Sequence, residues 1–403
     1  MRAGRYVKQL TGYSAFIPSP LPPEPTIQTD AELTRLLSDA DRALGRLDGV
    51  ASVLPNPHLF VAMYVRQEAV LSSQIEGTQS TLEDVLQFEA DAKGTDVPRD
   101  VEEVVNYIRA INYGLERLKE FPLSLRLIRE IHAELLKGVR GEHRTPGEFR
   151  TSQNWIGPEN CTLATATFVP PPPHEMHQAL DDLEKFLHDT QSFPALIHCA
   201  LAHAQFETIH PFLDGNGRVG RLLITFLLCQ RGVLQRPLLY LSHYLKRNRA
   251  EYYDRLMAIR NNGDWEGWLK FFLRGVHDVS RQATDTSRAI LQLRERDRQR
   301  LGDNALGVRL LEYLFEQPLV TVRMVEKRLK CSFATANKVV DQLEQLGLLK
   351  RVSPSALRNR RFRYEPYLAL FEEAQPAPMQ TTEPARPLPV SKARTLREKS
   401  PKG

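Results

Sequence analysis

Apolar residues recur at three- and four-residue intervals through most of this chain, and that spacing predicts helices. The first opens where Thr29 precedes Glu32 with capping-box spacing ahead of Leu33, Leu36 and Leu37, and it runs to Leu47. Helical spacing returns over residues 58–90, 98–119, 124–137, 174–189, 193–207, 218–231 and 248–259. From Trp265 it continues into an Arg-rich stretch ending near Arg300, read as a connecting helix. Strand signals are almost absent. The exception is residues 160–173, NCTLATATFVPPPP, where alternating threonine and apolar positions run into prolines that cannot join a central ladder. A short hairpin or edge flap is expected there. Residues 16–28 are too proline-rich for a helix and read as an extended arm, with regular structure starting after it.

Towards the far end, helical segments at 307–316, 322–329 and 333–346 precede a Gly347 turn and a hairpin, RVSPSALRNRRFRYEP. Between residues 350 and 363 that hairpin carries Lys350, Arg351, Arg358, Arg360, Arg361 and Arg363 and no acid. This resembles a winged helix-turn-helix, in which Thr335, Asn337 and Lys338 would lie near the start of the recognition helix. DNA and a protein both stay open as its partner, because the third helix also carries Asp341 and Glu344. Beyond Phe371 the chain is polar and proline-rich and reads as a disordered tail.

Composition narrows the class. The 403 residues suit two or three compact units, and 42% hydrophobic with 26% charged residues is ordinary globular usage. A net charge of +5 is small, so only local clusters such as the wing point to nucleic acid. The start holds no apolar run fit for a signal peptide, and the longest apolar stretch, residues 222–229, is too short to span a bilayer. A cytoplasmic protein is expected. Cys161, Cys199, Cys229 and Cys331 form no CxxC pair and read as reduced thiols.

The most informative stretch is residues 210–221, HPFLDGNGRVGR, where a loop enters a helix. Gly215 and Gly217 let the backbone take positive φ and aim its N–H groups at a ligand, an anion nest at a helix N-terminus. Arg218 and Arg221, three apart, share a helix face and can fork onto polyphosphate oxygens. Asp214 offers a hard oxygen to Mg²⁺, and His210 can accept a proton near neutral pH. Any one of these alone is more often a turn glycine, a surface arginine or a core histidine.

Together they match without a break the Fic signature HPFx(D/E)GNGRxxR, and residues 10–280 resemble that family's N-terminal region and core. The resemblance implies an all-α fold: a Fic-type helical core with a short β-hairpin flap, followed here by the winged-helix domain. The implied organisation is an arm (1–28), a helical region with an inhibitory helix (29–120), the catalytic core (121–280), a connecting helix (281–305), the winged helix-turn-helix (306–371) and the tail (372–403). It also implies a protein adenylyltransferase that moves AMP from ATP to a Tyr, Thr or Ser hydroxyl of a target protein, itself included. His210 would be the general base and Asp214 the Mg²⁺ ligand. Gly215, Asn216 and Gly217 would hold the α and β phosphates, with Arg218, Val219, Gly220 and Arg221 following; Arg218 would neutralise the transferred and leaving phosphates and Arg221 orient the γ-phosphate. Thr165 to Pro171 would form the flap that pairs with the target backbone, and Thr165, Ala166, Thr167 and Phe168 within it would also contact ATP. Tyr252, Tyr253 and Asn261 fall where relatives contact adenine and ribose, Asn261 after a one-residue shift.

Upstream, Ser72, Glu76 and Gly77 have the spacing (S/T)xxxE(G/N) of the family's inhibitory helix motif. The implied role is that Glu76 pairs with Arg221 and occupies the γ-phosphate position. Two other functions stay open: a DNA-binding regulator with a nucleotide-sensing Fic core, and transfer of another phosphate-containing group. The residues name neither the target nor the assembly, a homodimer included, nor whether the site also removes AMP.

Overall fold

The computed structural model describes residues 2–52, 57–90, 100–139, 141–158, 160–352 and 360–372. Its first regular structure is a hairpin, β1 (Gly4–Lys8) and β2 (Ser14–Pro18), paired antiparallel from Gly4 with Pro18 to Lys8 with Ser14. This corrects the expected arm over residues 1–28. The cross-strand pair Tyr6 and Phe16 meets edge to face at 5.1 Å, and Phe16 is fully buried beside Phe168 at 6.1 Å. Burial of that ring folds the segment before the prolines take over. Arg2 then fastens it to the body by a two-pronged contact with Glu266, at 2.8 and 3.0 Å.

Helices follow: α1 (Ala31–Ser52), α2 (Pro57–Ile75), α3 (Leu82–Ala90), α4 (Val101–Arg117), α5 (Leu125–Leu135), α6 (Pro173–His188), α7 (Ala195–Ile209), α8 (Asn216–Gln230), α9 (Ser242–Arg247), α10 (Arg249–Asn262) and α11 (Trp265–Leu301). Three expectations need amending. The cap of α1 is Asp30, whose Oδ1 accepts the Leu33 N–H at 2.7 Å, while Glu32 faces Lys270 and Arg274; the capping box from Thr29 does not form. The single segment over 58–90 is two helices, broken where Gly77 takes φ 98°. The expected boundary at residue 281 falls inside α11, whose apolar stripe runs unbroken from the core through Ser287 and Ile290 to Leu301.

The core centres on α7, in which every residue from Leu196 to Ile209 is buried. Such a helix has no polar face and needs neighbours all round; α6, α8, α10 and α11 supply them. Trp265 and Trp268 of α11 are fully buried, and Trp268 donates its indole N–H to the Ala200 carbonyl at 2.9 Å. The loop from α7 into α8 therefore leaves one rigid helix and enters another.

After α11 come α12 (Ala305–Glu316), β3 (Leu319–Thr321), α13 (Val322–Leu329), α14 (Phe333–Gln345), β4 (Lys350–Arg351), β5 (Arg361–Arg363) and α15 (Glu365–Glu372), the strands ordered β3–β5–β4. Arg358 and residues 373–403, where the tail is expected, lie outside the described residues. The wing is less bare of acids than its own sequence suggests: Arg351 pairs with Glu344, Arg360 with Asp341 and Arg363 with Glu365. Among the described residues no helix is long and apolar enough to cross a membrane.

One packing contact reverses a propensity rule. Alanine in place of a mid-helix glycine ordinarily stabilises by about 0.5–1 kcal/mol. A Cβ on Gly114 of α4 would collide with the Phe226 ring of α8. Gly114→Ala is expected to destabilise the fold by about 1–3 kcal/mol, read as a lower urea midpoint; an unchanged or higher midpoint contradicts this packing.

Candidate active site

α7 ends at His210, whose φ of 50° and ψ of 60° turn the chain out of the helix. α8 begins after Gly215, at φ 80°. Between them the loop is tied to itself by Asn216: its Oδ1 accepts the Phe212 N–H and its Nδ2 donates to the Phe212 carbonyl, both at 2.8 Å. The first intrahelical bond of α8 runs from the Val219 N–H to the Gly215 carbonyl at 3.0 Å, so the amides of residues 216–218 precede it and are groups of the kind an anion can take.

Three residues with no prior assignment hold this loop in place. Arg150, 1% exposed, donates from its guanidinium to the carbonyls of His210 (3.0 Å) and Pro171 (2.5 Å), and its backbone N–H donates to the Pro211 carbonyl at 2.9 Å. One guanidinium so joins the loop to the flap segment. Asn154 donates to the carbonyls of His210 and Phe212 at 3.2 and 2.8 Å. His132 stacks on Phe212 at 3.7 Å, accepts the Gly147 N–H at Nδ1 and therefore donates from Nε2 to the Asp214 carbonyl at 3.0 Å. Sequence spacing gives no sign of them because these carbonyls lie 21–82 residues away.

The two motif arginines are both buried, at 2% side-chain exposure, and both are held by acids. Arg218 contacts Glu103 of α4 at 3.2 Å and Asp214 at 3.5 Å. Arg221 donates to Ser72 Oγ at 2.7 Å, to the Ser72 carbonyl at 3.0 Å and to Glu76 Oε1 at 2.7 Å. Ser72 is in the last turn of α2, but Glu76 lies one residue past the helix end, its amide bonded to the Ser73 carbonyl at 3.0 Å. Burial acts to raise the Glu76 carboxyl, yet Arg221, then Arg218 and His210, hold it below its usual value. Glu76 also sits over the nest: a Cβ on Gly217 would collide with its Oε1 and come within 2.9 Å of an Arg221 nitrogen.

His210 is half-buried, and burial, then the charges of Arg260 and Arg150, push it down to about 3. It is a neutral imidazole at pH 7, with Nδ1 buried and unpartnered among the described residues. Beneath it, Glu207 is pushed up to about 7 by burial, its Oε1 likewise unpartnered. These groups, with Arg218 Nε, concentrate unmet hydrogen-bonding capacity around one loop, the condition a polar ligand relieves.

The other expected contacts divide. Val219 is core, and Gly220 is where α8 passes α7, since a Cβ there would collide with Glu207. Tyr252 is 1% exposed and donates its hydroxyl to His203 Nε2 at 3.0 Å, whose Nδ1 donates to the Gly220 carbonyl at 2.8 Å. It supports the loop from behind. Tyr253 is 39% exposed beside it, and Asn261 accepts the Tyr6 hydroxyl at 3.0 Å. Of the expected flap hairpin one bridge is seen among the described residues, Ile156 with Phe168; Thr165 closes a turn onto Thr162, and Ala166 and Thr167 lead from that turn to the bridge. Buried Phe168 anchors the segment under the Arg260 guanidinium at 3.8 Å, and β2 joins it through Phe16 N–H to the Val169 carbonyl at 2.9 Å.

Asp214 suits Mg²⁺ in the manner of a cation held chiefly by substrate phosphates, which needs only one or two carboxylate oxygens. Its Oδ1 is taken by the Gly215 amide at 2.6 Å, while Oδ2 faces Gly141, where an added Cβ would approach to 3.0 Å.

This geometry describes a helical protein with an anion nest whose cations are occupied by its own acids. Residues 34–116 match the Fic/DOC family N-terminal region and residues 122–228 the Fic/DOC family. The chain is 30% identical over 253 residues to Protein adenylyltransferase Fic of Aedes aegypti, covering 62% of this chain and 44% of that one. It is 30% identical over 203 residues to a probable protein adenylyltransferase of Aquifex aeolicus (strain VF5), covering 49% and 55%. The chain thus spans about half the length of these curated relatives. A Fic family protein from Desulfovibrio desulfuricans G20 superposes with a TM-score of 0.56 at 22% identity, over 84% of this chain and 97% of that one, a likeness of fold. The chain carries Fic/DOC family domains over residues 34–116 and 122–228.

The buried histidines give the site an acid limit. Burial pushes His203 and His132 each down to about 4, so the folded state binds fewer protons than the unfolded chain between about pH 6.5 and 4. Their contribution is complete above the unfolded value and is lost as pH falls through that window. His203→Gln is expected to give a shallower fall of stability from pH 6.5 to 4 than the wild type; parallel curves contradict it.

Proposed function

We propose that this chain is a protein adenylyltransferase, transferring AMP from ATP to a side-chain hydroxyl of a target protein, and that Glu76 restrains it. The observation that carries the reading is the Glu76–Arg221 pair lying over the nest, with neutral His210 beside it. Fic adenylyltransferase relatives at 30% identity support the activity.

In this reading the amides of Asn216 and Gly217, and that of Gly215 once it leaves Asp214 Oδ1, take the α and β phosphates and Arg221 the γ-phosphate. The target hydroxyl attacks the α-phosphorus, its proton passes to His210, the bond to the bridging oxygen breaks and pyrophosphate leaves. Mg²⁺, held by Asp214, would offset charge on the phosphates. Catalysis is then positioning and charge stabilisation. Arg218 stays buried between Glu103 and Asp214 and reaches the phosphates by exchanging those partners. Tyr253 and Asn261 bound the nucleoside end, and the stretch Thr165–Ala166–Thr167 before the Phe168 bridge offers backbone to a target strand. Residues 306–371 are read as a winged helix; its acid-paired arginines lower the charge left for DNA phosphates and favour a protein contact. The same reading places the protein in the cytoplasm and leaves a homodimer and removal of AMP open.

α-Labelled ATP should label protein and γ-labelled ATP should not; γ label would make the chain a kinase, and neither label would leave the regulator reading. His210→Ala should abolish transfer while nucleotide binding persists, and near-normal labelling by that variant sinks the assigned base.

Glu76→Gly should raise self-labelling at least about tenfold, equivalent to roughly 1.4 kcal/mol. Adding Arg221→Ala should remove the gain. Labelling no faster than wild type at saturating ATP and Mg²⁺ rules the restraint out.

A further inference from the structure

The helix that leads to Glu76, α2, is gripped elsewhere along its length by the C-terminal module. Arg66 of α2 donates to the Glu316 carbonyl at 3.2 Å and to Gln317 Oε1 at 3.3 Å. It thereby caps the C-terminus of α12, where a cation meets unpaired carbonyls and the negative end of the helix dipole. The same guanidinium pairs with Glu89 of α3 at 2.9 Å. Next to it, Gln67 donates to the Phe371 carbonyl in α15 at 3.3 Å, and the Tyr64 ring meets Phe371 edge to face at 5.5 Å. Tyr64, Arg66 and Gln67, on about one turn of α2, thus hold that helix to residues 305–372.

From that grip a polar chain leads to Arg221. Glu68, 2% exposed, accepts hydrogen bonds from Ser242 and from Tyr107 at 3.1 Å. One turn on, Ser72 binds Arg221 through both hydroxyl and carbonyl, and Glu76 completes the set. A helix rises 1.5 Å per residue, so Arg66 and Glu76 are separated by about 15 Å of nearly continuous helix. α2 is buried over most of its described side chains, so it has little freedom to bend and moves as a rod. A shift at Arg66 is delivered to Ser72 and Glu76.

We propose that residues 305–372 are the control element of the Glu76 restraint: by clasping α2 at Arg66 and Gln67 they hold Glu76 on Arg221, and a ligand of this module that loosens the clasp starts transfer. The proposal rests on the adenylyltransferase reading above and assigns the regulation of that same site. The coupling is a difference in the module's contacts with α2 between the restrained and released states, which is what a two-state switch requires.

The test uses the full chain as wild type, Arg66→Ala, Glu76→Gly and the double variant, with self-labelling from α-labelled ATP and hydrogen exchange at residues 73–78 as readouts. Gln317→Ala, on the module side of the same contact, repeats the test should Arg66→Ala fold poorly. The expected results are a rise in labelling of at least about threefold for Arg66→Ala, no further rise when Glu76→Gly is already present, and faster exchange at the amides of residues 73–78. Equal factors in both backgrounds, or no rise with unchanged exchange, overturns the proposal. Failure of Glu76→Gly itself to raise labelling would instead overturn the restraint, and exchange at residues 73–78 would then decide the coupling alone.

Discussion

Arg221 is a guanidinium buried to 2% exposure, and nearly everything at the site follows from what it pairs with. Leaving a buried charge alone costs about 3–5 kcal/mol, so a partner is obligatory. In this structure the partner is Glu76, with Ser72 completing the donor fork. In the proposed function a γ-phosphate would be the other anion for Arg221, and the two could not occupy the guanidinium together. The need for one anion at one place makes the site exclusive, and Gly217 leaves room for either.

The loop holding that arginine is stabilised by backbone hydrogen bonds drawn from distant segments. Arg150, Asn154 and His132 each saturate carbonyls that a loop between two helices would otherwise bury unpaired. Tyr252 of α10 bonds His203 of α7, which in turn donates to the Gly220 carbonyl inside α8 and ties the three helices together. These histidines stay neutral because burial disfavours their charged form, so each can donate at one nitrogen and accept at the other. The loop can then present its amides without rearranging when a ligand arrives.

Much of this was legible in the sequence. Helical spacing placed α13 and most other helices to within a few residues, and residues 210–221 announced the loop because glycine, arginine and acid cluster inside one turn and one helix start. What periodicity missed was set by tertiary contact. The β1–β2 hairpin forms because Phe16 finds Phe168, and Asp30 displaces Thr29 as cap because Glu32 is drawn to Lys270. Glu76 was identifiable by spacing, but its place beyond the end of α2 depends on the turn at Gly77. The acids opposing the wing arginines sit at Glu344, Asp341 and Glu365, outside or beside the basic run, where a count along the hairpin does not reveal them.

The central claim is that Glu76 and a γ-phosphate compete for Arg221, and affinity for ATP against ADP reads it directly. Calorimetric titration of wild type and Glu76→Gly, each with both nucleotides and Mg²⁺, isolates the γ-phosphate because everything else in the two ligands is shared. The wild type should hardly distinguish them, whereas Glu76→Gly should bind ATP at least about tenfold more tightly than ADP, a difference of about 1.4 kcal/mol. The same ATP-to-ADP ratio in both proteins would contradict the account.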